Sequence, residues 1–209
     1  DWPEKGFTID ETELKRKADE VIEGFKYIEN VPVSYSFSKN KITAIMGSRI
    51  KSVYFVDNIL LQLLTFYSYD DLKIVLFTNE NNKDRWKYLK YLNHNFDNSK
   101  SCRFFCSTSE EIKEISQYLE IELSKRIQSA SDKNNLSTTI KPHYLLIVDD
   151  YSEVKKTNFM KTLTEIDASL GFSLIIIEKS LSKLPSKCVN FIQLGEKESG
   201  VLQNSYEKQ

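Results

Sequence analysis

Strand-length apolar runs alternate with longer amphipathic segments along most of this chain. The apolar runs lie at residues 42–46, 72–77, 102–106, 143–148, 172–177, 190–194 and 200–203. The segments with apolar residues at helical spacing lie at residues 52–67, 83–92, 110–128 and 157–169. Nearly continuous apolar strands that alternate with helices indicate a mostly parallel sheet covered by helices on both faces. The predicted fold class is therefore α/β.

The beginning of the chain has a different pattern. Residues 11–27 predict an amphipathic helix whose start is marked by a capping box of Asp10 and Glu13. Residues 31–37 alternate between apolar and small or polar side chains, as an edge strand does. We therefore predict a linker helix within residues 1–30 and an α/β domain over residues 31–209. Residues 129–141 are polar and poor in helix formers, which predicts a mobile loop.

Charge and cysteine content exclude several function classes. The chain has 29 basic and 30 acidic residues, and no stripe of Lys and Arg interleaved with aromatics, so we expect no nucleic-acid partner. Its apolar runs have the length of strands, so we predict no bilayer span and no signal peptide. The three cysteines, Cys102, Cys106 and Cys188, are accompanied by two histidines. They are interpreted as cysteines of a reducing cytoplasm, without a metal site.

The loop after the first central strand has part of a phosphate-binding motif. That motif reads G-x-x-x-x-G-K-[ST], and its glycines let backbone N–H groups close around phosphates. When Lys51 and Ser52 are aligned with it, Ile45 and Ile50 stand at the two glycine positions and Gly47 at neither. A β-branched residue beside the lysine disfavours the positive φ that such a loop uses. The sequence therefore keeps the outline of a RecA-like P-loop NTPase domain and predicts that phosphate binding is lost.

Two acidic residues, Asp149 and Asp150, follow the strand at residues 143–148. Right-handed crossovers place them at the same sheet edge as the Gly47 loop. In a working site Lys51 would reach the phosphates, Ser52 and Asp149 would hold magnesium, and Asp150 would polarise the attacking water. Aspartate is one methylene shorter than the usual glutamate, which leaves that water poorly placed.

The alternative interpretation of these residues is structural. Lys51 is then a surface lysine, Ser52 lies in the first turn of a helix, and the two acids cap the turn that follows their strand. We assign no catalytic residue and predict a remnant nucleotide pocket of Gly47, Ser48, Arg49, Lys51, Ser52, Asp149 and Asp150. The aromatic segment at residues 86–92 is interpreted as core or partner contact rather than as a surface for base stacking.

Four blocks of the chain together resemble the EssC/EccC ATPases of bacterial type VII secretion, which are of the FtsK/SpoIIIE type. The blocks are residues 60–77, 85–94, 142–144 and 170–176. The helix at residues 11–28 and the Asn-, Lys-, Ile- and Tyr-rich composition resemble the firmicute EssC branch. Within that branch, the chain resembles the first, membrane-proximal module, a short degenerate unit called the DUF or D0 domain.

The resemblance implies a non-catalytic module that couples the membrane channel to active ATPase modules further along the protein. Its partners would be those modules, the channel components and secreted helical substrates. It would lie at the cytoplasmic face of the bacterial membrane, with membrane contact through the parent chain, in a system linked to virulence. No cofactor is expected, and ATP with magnesium would bind only if the degenerate site still works.

Two alternatives stay open at this point. The first is a weakly active ATP-hydrolysing module that oligomerisation completes through an arginine from a neighbouring subunit. The candidates for that role are Arg49, Arg85, Arg103 and Arg126. The second is a substrate-binding adaptor that uses the aromatic helix at residues 83–92 as its groove.

Overall fold

The computed structural model describes residues 13–24, 34–132, 140–195 and 200–204. The chain divides into two compact units, Asp1–Tyr35 and Ser36–Gln209. The first unit contains helix α1, Glu13–Gly24, within the range that the sequence predicts. The rest of the predicted helix and the predicted boundary between residues 30 and 31 lie outside the described residues, and that boundary stays a prediction.

The strands of the second unit form one sheet in the order β3-β2-β4-β5-β1-β6-β7. Their bounds are β1 Ile42–Met46, β2 Leu72–Phe77, β3 Phe105–Cys106, β4 His143–Val148, β5 Phe172–Ile177, β6 Asn190–Leu194 and β7 Gly200–Asn204. All pairs except β6 with β7 are parallel. This sheet confirms the predicted mostly parallel α/β fold.

Helices cover both faces of the sheet. On one face lie α2, Arg49–Phe66, and a 3₁₀ helix, Lys83–Tyr91, whose buried residues include Val56, Leu60 and Trp86. On the other face lie α3, Ser109–Asp132, α4, Tyr151–Val154, and α5, Asn158–Glu165. Successive residues of a strand point to opposite faces, so a strand buried on both sides is apolar at most positions; the buried exceptions here include Thr43, Lys73 and Ser173. Among the described helices, none combines the length and the apolar character that a bilayer span requires.

The predicted edge strand at residues 31–37 is wrong for the part that the structure describes. Residues 34–36 are not in a strand, and residues 37–40 form a turn. Asn40 donates two hydrogen bonds to the Ser36 carbonyl, one from its backbone N–H at 2.9 Å and one from its side-chain Nδ2 at 3.0 Å. Ser and Asn favour such local hydrogen bonds over pairing with a strand. Residues 31–33 lie outside the described residues.

Several predicted element boundaries also need correction. The helix at residues 83–92 is a 3₁₀ helix, and the strand at 102–106 is reduced to Phe105–Cys106. Helix α3 continues to Asp132, so residues 129–132 do not belong to a loop, and residues 133–139 lie outside the described part. The helix predicted at 157–169 is shorter, and the short helix α4 before it was not predicted.

A buried arginine joins α3 to the amino-terminal ends of β4 and β5. Arg126 donates from its guanidinium to the carbonyls of Pro142 at 2.9 Å, Leu170 at 3.0 Å and Gly171 at 3.3 Å. It also forms a salt bridge with Glu122. A side chain at Gly171 would collide with this guanidinium, because an added Cβ would lie 2.4 Å from Nη1. This clamp lies at the edge of the sheet opposite to the candidate site.

Candidate functional site

The candidate site lies where the parallel strands β1, β2, β4 and β5 end. A cavity of about 220 Å³ opens there, and its lining includes Gly47, Arg49, Asn79, Asp149 and Asp150. The structure thus brings the Gly47 loop and the acidic pair together, at the edge where α/β folds bind ligands. The cavity is smaller than the roughly 300–1,000 Å³ of typical small-molecule sites.

The connection between β1 and α2 consists of two residues, Gly47 and Ser48. Ile45 is the fourth residue of β1, and Ile50 is the second residue of α2. Gly47 has a φ of +153°, and a Cβ there would lie 3.1 Å from the Leu194 Cβ of β6. Glycine is therefore needed because β6 passes close to this turn. Ser48 occupies the N-cap position without a side-chain capping bond.

Asp149 is held by three donors. Its side chain is fully buried, and its Oδ2 forms a salt bridge with the Arg49 guanidinium. The same oxygen accepts hydrogen bonds from Thr78 Oγ1 at 2.9 Å and from Trp86 Nε1 at 3.0 Å. Its Oδ1 has no hydrogen-bond partner among the described residues. The carboxylate is therefore saturated on one oxygen and unsatisfied on the other.

Lys51 and Ser52 do not meet Asp149 in the way the motif predicts. Lys51 Nζ donates to the carbonyl of Gly195 at 2.7 Å, in a separate depression that Ser48 and Leu194 also line. Ser52 is 1% exposed, and its Oγ has no hydrogen-bond partner among the described residues. The first turn of α2 thus directs its two basic side chains to different places, Arg49 towards β4 and Lys51 towards the end of β6.

Asp150 is the N-cap of α4. Its Oδ1 accepts from the Ser152 backbone N–H at 3.0 Å and from the Ser152 hydroxyl at 2.5 Å, and its Oδ2 accepts from Asn79 Nδ2 at 2.8 Å. Burial alone would raise the pKa of Asp150, but these hydrogen bonds outweigh burial and lower it. The structural interpretation of Asp150, in which it caps the following turn, describes this geometry.

Three residues of the site were not found from the sequence. Thr78 and Asn79 directly follow β2, which pairs in parallel with β4. They therefore lie at the same sheet edge as Asp149 and Asp150, and this position could have identified them as site residues. Trp86 reaches Asp149 from the 3₁₀ helix, and no spacing rule predicts that contact.

The aromatic helix at residues 83–92 is buried on one side and exposed on the other. Trp86 and Leu89 are fully buried, and the Tyr88 hydroxyl donates to Asp57 at 2.5 Å. Tyr91 is 88% exposed. The interpretation as core therefore holds for Trp86 and Leu89, while Tyr91 is the strongly exposed aromatic of this helix.

The candidates for an arginine acting on another subunit also differ in accessibility. Arg126 is buried in its clamp and Arg49 pairs with Asp149, so neither can reach a neighbouring subunit in this conformation. Arg85 pairs with Asp57 at the surface, and Arg103 is exposed, so these two stay candidates.

Curated proteins similar to this chain belong to type VII secretion systems. The type VII secretion system protein EssC of Staphylococcus aureus (strain NCTC 8325) is 24% identical over 204 residues, which cover 97% of this chain and 14% of EssC. The ESX secretion system protein EccC of Geobacillus thermodenitrificans is 21% identical over 192 residues, which cover 91% of this chain and 13% of EccC. This chain is a homologue of EssC and EccC.

Solved structures of EssC and EccC have the same fold. EssC (ATPases 2 and 3) from Geobacillus thermodenitrificans has a TM-score of 0.59 and 17% identity, and the match covers 79% of this chain and 34% of that one. Thermomonospora curvata EccC (ATPases 2 and 3), solved with a signal sequence peptide, has a TM-score of 0.54 and 14% identity, over 83% of this chain and 33% of that one. No protein-family model matches the chain. The comparisons confirm the resemblance to EssC and EccC and the ATPase-type fold.

Proposed function

We propose that this chain is an ATPase-fold module of a type VII secretion motor and that it works without hydrolysing ATP. Homology to EssC and EccC supports the role in secretion. Because the chain spans 14% of the length of EssC, its place in a larger protein is part of the proposal. It would be the membrane-proximal module at the cytoplasmic face, and it would couple the membrane channel to the other ATPase modules.

The observation that carries the proposal is the two-residue connection between β1 and α2. The phosphate-binding motif has five residues between its first glycine and its lysine, most of them in an open loop. Here the position of the first glycine, Ile45, is fully buried in β1, and that of the second, Ile50, is already in α2. Apart from the first N–H groups of α2, which have no intrahelical partner, only Gly47 and Ser48 are left to face a phosphate, so the loop that would surround a triphosphate is missing.

The side chains of the site support the same proposal. The Lys51 ammonium donates to the Gly195 carbonyl, away from the cavity beside Asp149. The Asp149 carboxylate, which would face magnesium in a working site, forms a salt bridge with the Arg49 guanidinium instead. Asp150 caps α4 and would have to give up that role to act on a water molecule. These residues do not fit bound ATP and magnesium, so the proposed role is mechanical.

A secretion assay in bacteria that produce the full-length parent protein tests the proposal. Lys51→Ala should leave the secretion of a substrate within about twofold of the wild type, because the proposal gives this lysine no role in catalysis. Val56→Asp places a charge in the core of this module, where Val56 is fully buried, and should abolish secretion.

Immunoblotting of the parent protein distinguishes a variant that has lost the function of this module from one in which the protein itself no longer accumulates. The proposal is wrong if Lys51→Ala stops secretion as completely as Val56→Asp while the parent protein accumulates normally. It is also wrong if the parent protein secretes normally without this module, because coupling requires that the module be present.

A further inference from the structure

We propose that Arg49 serves as an internal cation at Asp149, in the position where the metal ion of a nucleotide site would otherwise balance the carboxylate. The inference deepens the proposed function and rests on it, because it states what replaces the ligand. A site closed in this way holds its shape without nucleotide or metal.

The first argument concerns charge. An ionised carboxylate taken out of water is strongly destabilising unless a cation and hydrogen bonds compensate it. The Asp149 side chain is fully buried, and Arg49 is the basic residue that forms a salt bridge with it among the described residues. The hydroxyl of Thr78 and the indole N–H of Trp86 are neutral donors that form hydrogen bonds to the same carboxylate oxygen.

The second argument concerns the oxygen atoms that remain. Asp149 Oδ1 and Ser52 Oγ are both buried, and neither has a hydrogen-bond partner among the described residues. Buried polar atoms normally have partners, so each of these two atoms needs an explanation. Ser52 follows Arg49 by three positions on α2, so the two side chains share one face of the helix. Arg49 balances the charge of the site but does not satisfy these two oxygens.

The chemistry of these oxygens identifies the ion class that Arg49 replaces. Carboxylate and hydroxyl oxygens are hard ligands, and Mg²⁺ and Mn²⁺ prefer them. Removing the guanidinium while keeping Asp149 should therefore convert the site into one that responds to a divalent cation. The wild-type chain should show no such response, since its own guanidinium already occupies the place.

The experiment compares four forms of the chain: the wild type, Arg49→Gln, Arg49→Gln with Asp149→Asn, and Arg85→Gln. The last is the matched control, because Arg85 pairs with Asp57 at the surface. Binding of Mn²⁺ is measured by electron paramagnetic resonance, and thermal unfolding is followed in MnCl₂, in MgCl₂ and in KCl of equal ionic strength. Circular dichroism checks that each form is folded.

Arg49→Gln should bind one Mn²⁺, and its Tm should rise by about 3–6 °C when free Mn²⁺ is about ten times its Kd. The wild type, the double variant and Arg85→Gln should bind none and stay within about 1 °C under the same conditions. Two results would overturn the inference: a wild type that binds Mn²⁺ as tightly as Arg49→Gln, or a folded Arg49→Gln that binds none.

A second measurement decides the case in which Arg49→Gln fails to fold. If the buried charge is the cause, adding Asp149→Asn removes the need for a cation and should restore folding. A double variant as unstable as Arg49→Gln alone would contradict the inference. These outcomes are independent of ATP binding by the wild type, which tests the proposed function instead.

Discussion

The hydrogen bond from Trp86 to Asp149 yields a quantitative prediction about the candidate site. Trp86 is fully buried, and its indole Nε1 lies 3.0 Å from Asp149 Oδ2. Trp86→Phe keeps an aromatic ring and removes this donor. A hydrogen bond to a charged group contributes about 1.5–3 kcal/mol. The smaller ring adds the cost of a small cavity, so we expect a total loss of roughly 2–4 kcal/mol.

The assay is urea unfolding followed by far-UV circular dichroism. Fluorescence is unsuitable, because Trp86 is one of two tryptophans in the chain. The expected loss corresponds to a decrease in Tm of roughly 5–15 °C for a domain of this size. Tyr88→Phe in the same helix is the matched control. It removes a hydroxyl that donates to the partly exposed Asp57, and it should cost about 1 kcal/mol or less.

A double-variant cycle with Asp149→Asn tests the assigned cause. If the indole N–H acts on the carboxylate charge, Trp86→Phe should cost clearly less in the Asp149→Asn background than in the wild type. Equal costs in the two backgrounds would refute the reasoning, as would a loss below about 0.5 kcal/mol for Trp86→Phe alone.

Two further predictions concern the clamp and its neighbouring histidine. Burial, with a smaller contribution from nearby Arg126, lowers the pKa of His143 to about 4 from about 6.5, so the unfolded chain takes up a proton first as the pH falls. Stability should therefore decrease by up to about 3 kcal/mol between pH 6.5 and pH 4, and His143→Gln should flatten that part of a urea-derived stability profile; an unchanged profile would contradict this. Arg126→Met removes the guanidinium donor from the carbonyls of Pro142, Leu170 and Gly171, of which Gly171 keeps the Tyr144 N–H, and it should cost about 3–5 kcal/mol in urea unfolding. The exposed Lys125→Met should cost less than about 0.5 kcal/mol, and equal losses for the two variants would contradict the role of Arg126 in the clamp.

The central strands could be predicted from the sequence because strands buried on both faces are nearly continuous runs of apolar residues. The bounds of β2, β4, β5 and β6 agree with the predicted ranges. The 3₁₀ helix could not be distinguished from an α-helix, although Trp86 and Leu89, its buried residues, are three positions apart. Strand β3 is short because the chain before it turns locally, with the Cys102 N–H donating to Asp97 Oδ1 at 2.8 Å.

The candidate site shows a different limit of sequence reasoning. The motif alignment identified Arg49 and Asp149 as members of one pocket, because parallel strands bring their carboxyl ends together. The alignment could not predict that Arg49, rather than Lys51, would contact Asp149. That choice depends on where α2 begins, and a shift of one residue in the helix start rotates each side chain by about 100°. Contacts such as that of Trp86 depend on tertiary packing and leave no local pattern.

The central claim is that the backbone between β1 and α2 cannot enclose a triphosphate, and calorimetry tests it most directly. The chain should be titrated with Mg-ATP to millimolar concentration, with Mg²⁺ alone as the reference for dilution and ion effects. The account predicts no saturable heat above that reference. A saturable isotherm with one nucleotide per chain, reduced by Lys51→Ala, would contradict it.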